Sequence, residues 1–185
     1  VKNTLKALAV AAAVMASSAA VSAEHGLGYV GIAGGVAQTD INCGGSCDDT
    51  DVGFKLYGGL RLDKNLAVEA TYFNFGAATY SDLAGNDFAE AQGSAFALGV
   101  AFSYDFTRWL TGTARFGLGR NKATLETYGA GSDSETKTKP YFGLGLGVRV
   151  NNALSFDASY DLTKFEYDYE KSDTQMFSVG ARLSF

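Results

Sequence analysis

The chain has 185 residues, 46% hydrophobic and 19% charged, with 23 Gly, 13 Phe and 10 Tyr against a single Pro and a single His. That length suits one domain, and the weight of Gly and aromatic residues disfavours a long helical protein. A net charge of -5, from 15 Lys and Arg against 20 Asp and Glu, argues against a nucleic-acid partner, which would need a clustered basic excess.

The first element is an address. Lys2 and Lys6 precede an apolar run from Ala7 to Ala16, followed by Ser17, Ser18 and Val21-Ser22-Ala23 ahead of Glu24. A positive start, an apolar stretch too short to span a bilayer and small residues at its end predict a secretory signal peptide over residues 1–23, cleaved after Ala23. No Cys follows that point directly, so a lipid anchor is not indicated. Nothing from residue 24 onward has the length of apolar run that a membrane helix needs, which leaves an exported soluble protein or a membrane β-barrel over residues 24–185.

Periodicity separates the two. Period-2 alternation predicts eight strands, near 27–38, 52–62, 66–76, 92–104, 109–121, 140–150, 153–165 and 174–185. In the sixth, Phe142, Leu144, Leu146, Val148 and Val150 alternate with Tyr141, Gly143, Gly145, Gly147 and Arg149. The connections alternate short and long: Asp63-Lys64-Asn65, Asp105 to Arg108 and Asn151-Asn152 against 39–51, 77–91, 122–139 and 166–173. Short turns at one end and long loops at the other predict an all-β, eight-stranded, antiparallel up-and-down transmembrane barrel in the outer membrane. A soluble β-sandwich also alternates. Against it, the apolar face is expected to be free of charge, while the other is dominated by Gly, Ala and Ser, which suit a crowded bore.

The final strand, Phe177-Ser-Val-Gly-Ala-Arg-Leu-Ser-Phe185, resembles the C-terminal signature of bacterial outer-membrane proteins, which implies that Phe185 is read by the barrel-assembly machinery. The stretch from Leu56 to Gly76 resembles the second and third strands of the OmpA-type barrel, where an interior glutamate stands in the place of Glu69. Two features depart from that family. Ala101 replaces an interior lysine of the fourth strand, and the acid/base pair of the sixth and seventh strands is reversed, as Arg149 with Asp157. No periplasmic peptidoglycan-binding domain is expected.

The inward set is Lys55, Arg61, Glu69, Arg115, Arg149, Asp157, Asp161 and Arg182. In so narrow a barrel these charges are expected to lock the bore rather than line a wide pore. Counting outward from the turns pairs Arg61 with Glu69 and Arg149 with Asp157 on adjacent strands. A gated ion path is the alternative.

Cys43 and Cys47, in Asn42-Cys-Gly-Gly-Ser-Cys-Asp48, read as a disulfide in an exported chain; two thiolates alone leave a zinc site incomplete, so no metal and no cofactor is expected. The long loops and the strand ends beside them hold 14 acids against six bases. Tyr80, Phe88, Tyr128, Phe165, Tyr167 and Tyr169 are spread over them, and Trp109 is expected in an aromatic girdle at the turn end. Small barrels that are lipid-modifying enzymes use a histidine, but His25 sits beside the predicted cleavage site, so no catalytic residue is assigned. The expected partners are outer-membrane lipids and lipopolysaccharide, the assembly machinery, and a host surface or phage at the loops. The functional expectation is a non-enzymatic, envelope-stabilising barrel, with an adhesin as runner-up and a narrow channel third.

Overall fold

In the computed structural model, which describes residues 27–39, 50–81, 87–127, 131–167 and 170–185, every regular element is a β-strand. The strands are β1 (Gly28–Thr39), β2 (Thr50–Arg61), β3 (Leu66–Ser81), β4 (Asp87–Asp105), β5 (Leu110–Thr127), β6 (Gly131–Arg149), β7 (Leu154–Tyr167) and β8 (Glu170–Ser184). Each pairs antiparallel with its chain neighbours, and β1 closes on β8 from Tyr29↔Ser184 to Thr39↔Thr174. Closure removes the free edges that an open sheet would leave along the wall.

The pleat sends alternate side chains out of and into the barrel. Outward residues such as Ile32, Leu98, Leu144, Phe156 and Val179 are all more than half exposed, while inward Lys55, Glu69, Thr71, Arg115 and Ser178 are buried. An apolar outside wrapped round a polar inside is the reverse of a sandwich, and so continuous an apolar surface demands a lipid solvent. One expectation needs correction, because the outward face is not free of charge. Arg120 and Lys164 point outward at the long-loop end, Lys164 in an ion pair of 2.9 Å with Asp173. Each stands one outward position past the last large apolar residue on that face of its own strand, Leu118 in β5 and Leu162 in β7.

β3 to β6 run well beyond the lengths read from alternation. β6, for example, starts at Gly131 rather than at 140, and β5 continues to Thr127. In that extension the β5–β6 ladder persists to Thr127↔Gly131. Alternation reports the contrast between lipid and bore, whereas a ladder needs only backbone partners, so pairing outlasts the pattern. The walls are not all extended together. The β6–β7 ladder stops at Tyr141↔Thr163, next to Pro140, which has no N–H to donate. The β2–β3 ladder stops at Phe54↔Asn74, just before Gly76, whose φ of 79° marks a bulge in the β3–β4 pairing.

At the other end, three tight turns are built alike. Asp63 Oδ1 accepts the amides of Asn65 (2.7 Å) and Leu66 (2.9 Å), Thr107 Oγ1 those of Trp109 and Leu110, and Asn151 Oδ1 those of Ala153 and Leu154. Short polar side chains folding back on the backbone make compact, rigid turns. They set the rim on which Arg61, Asp105 and Arg149, the last residues of β2, β4 and β6, are carried.

Candidate functional site: the polar bore and its mouth

Three of the large inward groups are given room by small residues on both flanking strands. Glu69 stands between Gly59 and Gly99, Arg115 between Ala101 and Gly143, and Asp157 between Gly147 and Gly180. A Cβ added at Gly143 would overlap the Asp161 carboxylate and the Tyr141 hydroxyl. Much of the glycine of this chain is thus space for charged side chains, and the bore is filled in layers.

Nearest the long loops lies an apolar layer contributed by several strands. Phe73 stacks on Phe75 with ring centres 5.3 Å apart, the edge of Tyr141 meets Phe73 at 5.3 Å, and Met176 is fully buried beside them with Ala37, Ala95 and Ala97. Below it, Lys55 of β2 reaches across to Asp161 of β7 and donates to Ser159 Oγ at 2.6 Å. Tyr141 OH donates to the other oxygen of Asp161 at 2.7 Å. At the same depth Arg115 Nε donates to Glu69 Oε1 at 2.8 Å, while Tyr29 OH donates to Oε2 at 2.6 Å. Asp157 accepts from Tyr57 OH at 2.6 Å and ion-pairs with Arg182 at 3.3 Å.

The bottom layer opens at the turn end as a vestibule of about 290 Å³ lined by Arg61, Arg149 and Arg182 together with Lys64, Asp63 and Asp105. Arg149 ion-pairs with Asp105 at 3.2 Å, and Arg61 donates to Ser184 Oγ at 3.1 Å. Arg61 and Arg182 both lie over the ring of Tyr29, at 5.3 and 5.6 Å from its centre.

All eight predicted charges point inward, but the two pairings read from neighbouring strands are not formed. Glu69 takes Arg115, Tyr29 and Thr71 rather than Arg61, and Asp157 takes Arg182 and Tyr57 rather than Arg149. Arg61 stands opposite Ala67 and Arg149 opposite Ser155, so each is only a diagonal neighbour of the acid assigned to it. Inward side chains converge on the axis of a narrow bore. Glu69 thereby reaches Arg115 two strands away and Asp157 reaches Tyr57 from across the barrel, while Arg182, the diagonal neighbour of Asp157 on β8, takes the place assigned to Arg149.

Sequence reasoning missed the tyrosines. Tyr29, Tyr57 and Tyr141 each place a hydroxyl on a buried carboxylate, and a Tyr recurring on the Gly-rich face was the signal that could have found them. Asp105, assigned to a turn, is the inward end of β4. Trp109 is exposed at the turn end, as are Tyr104 and Phe106, whose rings meet at 5.4 Å. Cys43, Cys47, His25, Tyr128, Tyr169 and the predicted signal peptide lie outside the described residues, as do the side chains of Tyr80, Phe88, Phe165 and Tyr167. Among the described residues no three His, Cys, Asp or Glu side chains gather in a way that would hold a metal.

The family model for the outer membrane protein beta-barrel domain matches residues 7–185. The chain belongs to that family. It is an outer-membrane β-barrel, with the short turns on the periplasmic side as such barrels require. Solved structures agree on the fold. Neisserial surface protein A is 15% identical with a TM-score of 0.67, over 87% of this chain and 98% of that one. The outer membrane protein OprG of Pseudomonas aeruginosa is 14% identical with a TM-score of 0.57, over 87% and 97%. Ail, the attachment invasion locus protein of Yersinia pestis, solved with the heparin analogue sucrose octasulfate, is 18% identical with a TM-score of 0.56, over 85% and 99%. No curated protein matches the chain significantly.

Proposed function

We propose that this outer-membrane barrel stabilises the envelope as a closed, non-conducting and non-catalytic wall element. The observation that carries this reading is the filled bore: an apolar layer around Phe73, Phe75, Tyr141 and Met176 lies over crossed ion pairs, and the described cavity inside the wall is at the periplasmic mouth. A path for ions would have to break buried pairs and wet a layer of packed rings, both costly in a low-dielectric bore. Glu69, Asp157 and Asp161 are each held by at least two side chains, which suits a structural role better than proton transfer. On this reading the partners are phospholipid and lipopolysaccharide around the wall, the assembly machinery at Phe185, and whatever meets the acidic loops.

Pure protein in planar bilayers tests it. No steady conductance is expected from the intact chain, and stable nanosiemens channels would overturn the reading. In cells, loss of the protein is expected to raise detergent sensitivity. A deletion strain with normal detergent resistance but impaired attachment to host surfaces would point instead to a surface-binding role of the loops.

A further inference from the structure

We propose that the periplasmic vestibule is a binding site for a phosphate group, held by Arg61, Arg149 and Arg182. Its lining side chains carry four positive charges, the three arginines and Lys64, against two negative ones, Asp63 and Asp105. Both acids are already committed. Asp63 accepts two amides of its own turn, and Asp105 accepts the Thr111 hydroxyl at 2.6 Å as well as Arg149. With Asp157, the partner of Arg182, counted beside them, four positive charges meet three negative ones, so the cavity faces the periplasm with a small positive excess. Within it Arg182, more than nine-tenths buried, gives one Nη to Asp157 while its Nε has no hydrogen-bond partner among the described residues.

A buried, charged N–H without an acceptor is a costly arrangement, and an oxyanion in the adjoining cavity is the acceptor that would relieve it. The site is also preorganised. The two guanidinium groups of Arg61 and Arg182 are held against one Tyr29 ring, and their fork geometry matches oxygens of a phosphate better than a single-atom anion. The hydroxyls of Ser155 and Ser184 on the same lining supply neutral donors. At about 290 Å³ the vestibule has room for a phosphate monoester or a lipid phosphate as well as the bare ion.

The test uses the whole mature chain, refolded in zwitterionic micelles, with the arginine Nε–Hε resonances followed by NMR. Inorganic phosphate is titrated at ionic strength held constant with chloride. A saturable shift of the Arg182 Nε–Hε resonance is expected, weakened about tenfold by Arg61→Gln and by Arg149→Gln, the loss that one charge-assisted contact represents. Arg182 itself is left intact, because its bond to Asp157 belongs to the barrel, and heat-modifiable migration on gels verifies that each variant folds. No saturable shift, an equal response to chloride, or unchanged affinity in both variants overturns the proposal. Repeating the titration in phosphatidylglycerol vesicles identifies the source. A bound-state resonance before phosphate is added assigns the group to a lipid of the inner leaflet, and its appearance only with phosphate assigns it to a periplasmic solute; either result supports the site.

Discussion

Asp161 shows how much one bore residue carries. It accepts from Lys55 and Tyr141 while buried under the apolar layer, so Asp161→Ala leaves an ammonium with no counter-charge. The expected cost is about 3–5 kcal/mol, read from urea unfolding of refolded protein in detergent or lipid. Lys55→Met combined with Asp161→Leu should recover most of that loss, because the pair is then replaced rather than broken. Gly143→Ala is expected to cost about 1–3 kcal/mol, since its methyl overlaps Asp161 and Tyr141. In the first periplasmic turn, the amides of Asn65 and Leu66 hold the Asp63 carboxyl below the usual aspartate range. A carboxylate depressed on folding adds stability above its unfolded pKa, and that contribution fades as pH falls through the folded value. Asp63→Ala should therefore lower stability at neutral pH and flatten its loss below about pH 4, as seen in unfolding midpoints across an acid series.

Among the strands, the wall and its extensions obey different rules. At Val100, which pairs with Val68 and Phe116 on the outward face of β4, an arginine would face lipid. Val100→Arg should cost about 2–4 kcal/mol in lipid-based unfolding, whereas Lys164→Arg, past Leu162 and paired with Asp173, should be neutral. At Gly76 the positive φ and the nearby Asp51 carboxylate both exclude a side chain. Gly76→Ala is expected to cost about 1–2 kcal/mol and to loosen the bulge where β3 leaves β2, detectable as faster amide exchange in that strand. The run from Ser132 to Pro140 was unreadable as strand because it is polar on both faces; its pairing to β5 rests on backbone hydrogen bonds that leave no period in the side chains. The inward face of the same strand was legible, because Gly143, Gly145 and Gly147 alternate with large apolar residues.

For the molecule as a whole, closure and filling act together. The closed ladder keeps its hydrogen bonds shielded by lipid, and the bore is packed from Met176 down to the arginine mouth. Such a barrel should migrate as a compact species on unboiled gels and shift on heating; absence of that shift would contradict the architecture. Substituting Phe73 and Phe75 together with alanine removes the stacked pair from the apolar layer while leaving Lys55–Asp161 in place. If the rings seal the bore, that variant should admit water and show small, flickering conductance, whereas none is expected of the parent.

Strand number, chain order, the inward or outward face of each wall residue and the end bearing the tight turns were all present in the sequence, because each follows from local rules of alternation and turn chemistry. Partnership inside the bore was not. Glu69 meets Arg115, Lys55 meets Asp161 and three tyrosines complete the network only because the wall curves round and points distant strands at a common axis. The arginine mouth has the same origin. Arg61 and Arg149 end separate strands and Arg182 precedes the C-terminus, and closure of β8 on β1 is what gathers them round one cavity.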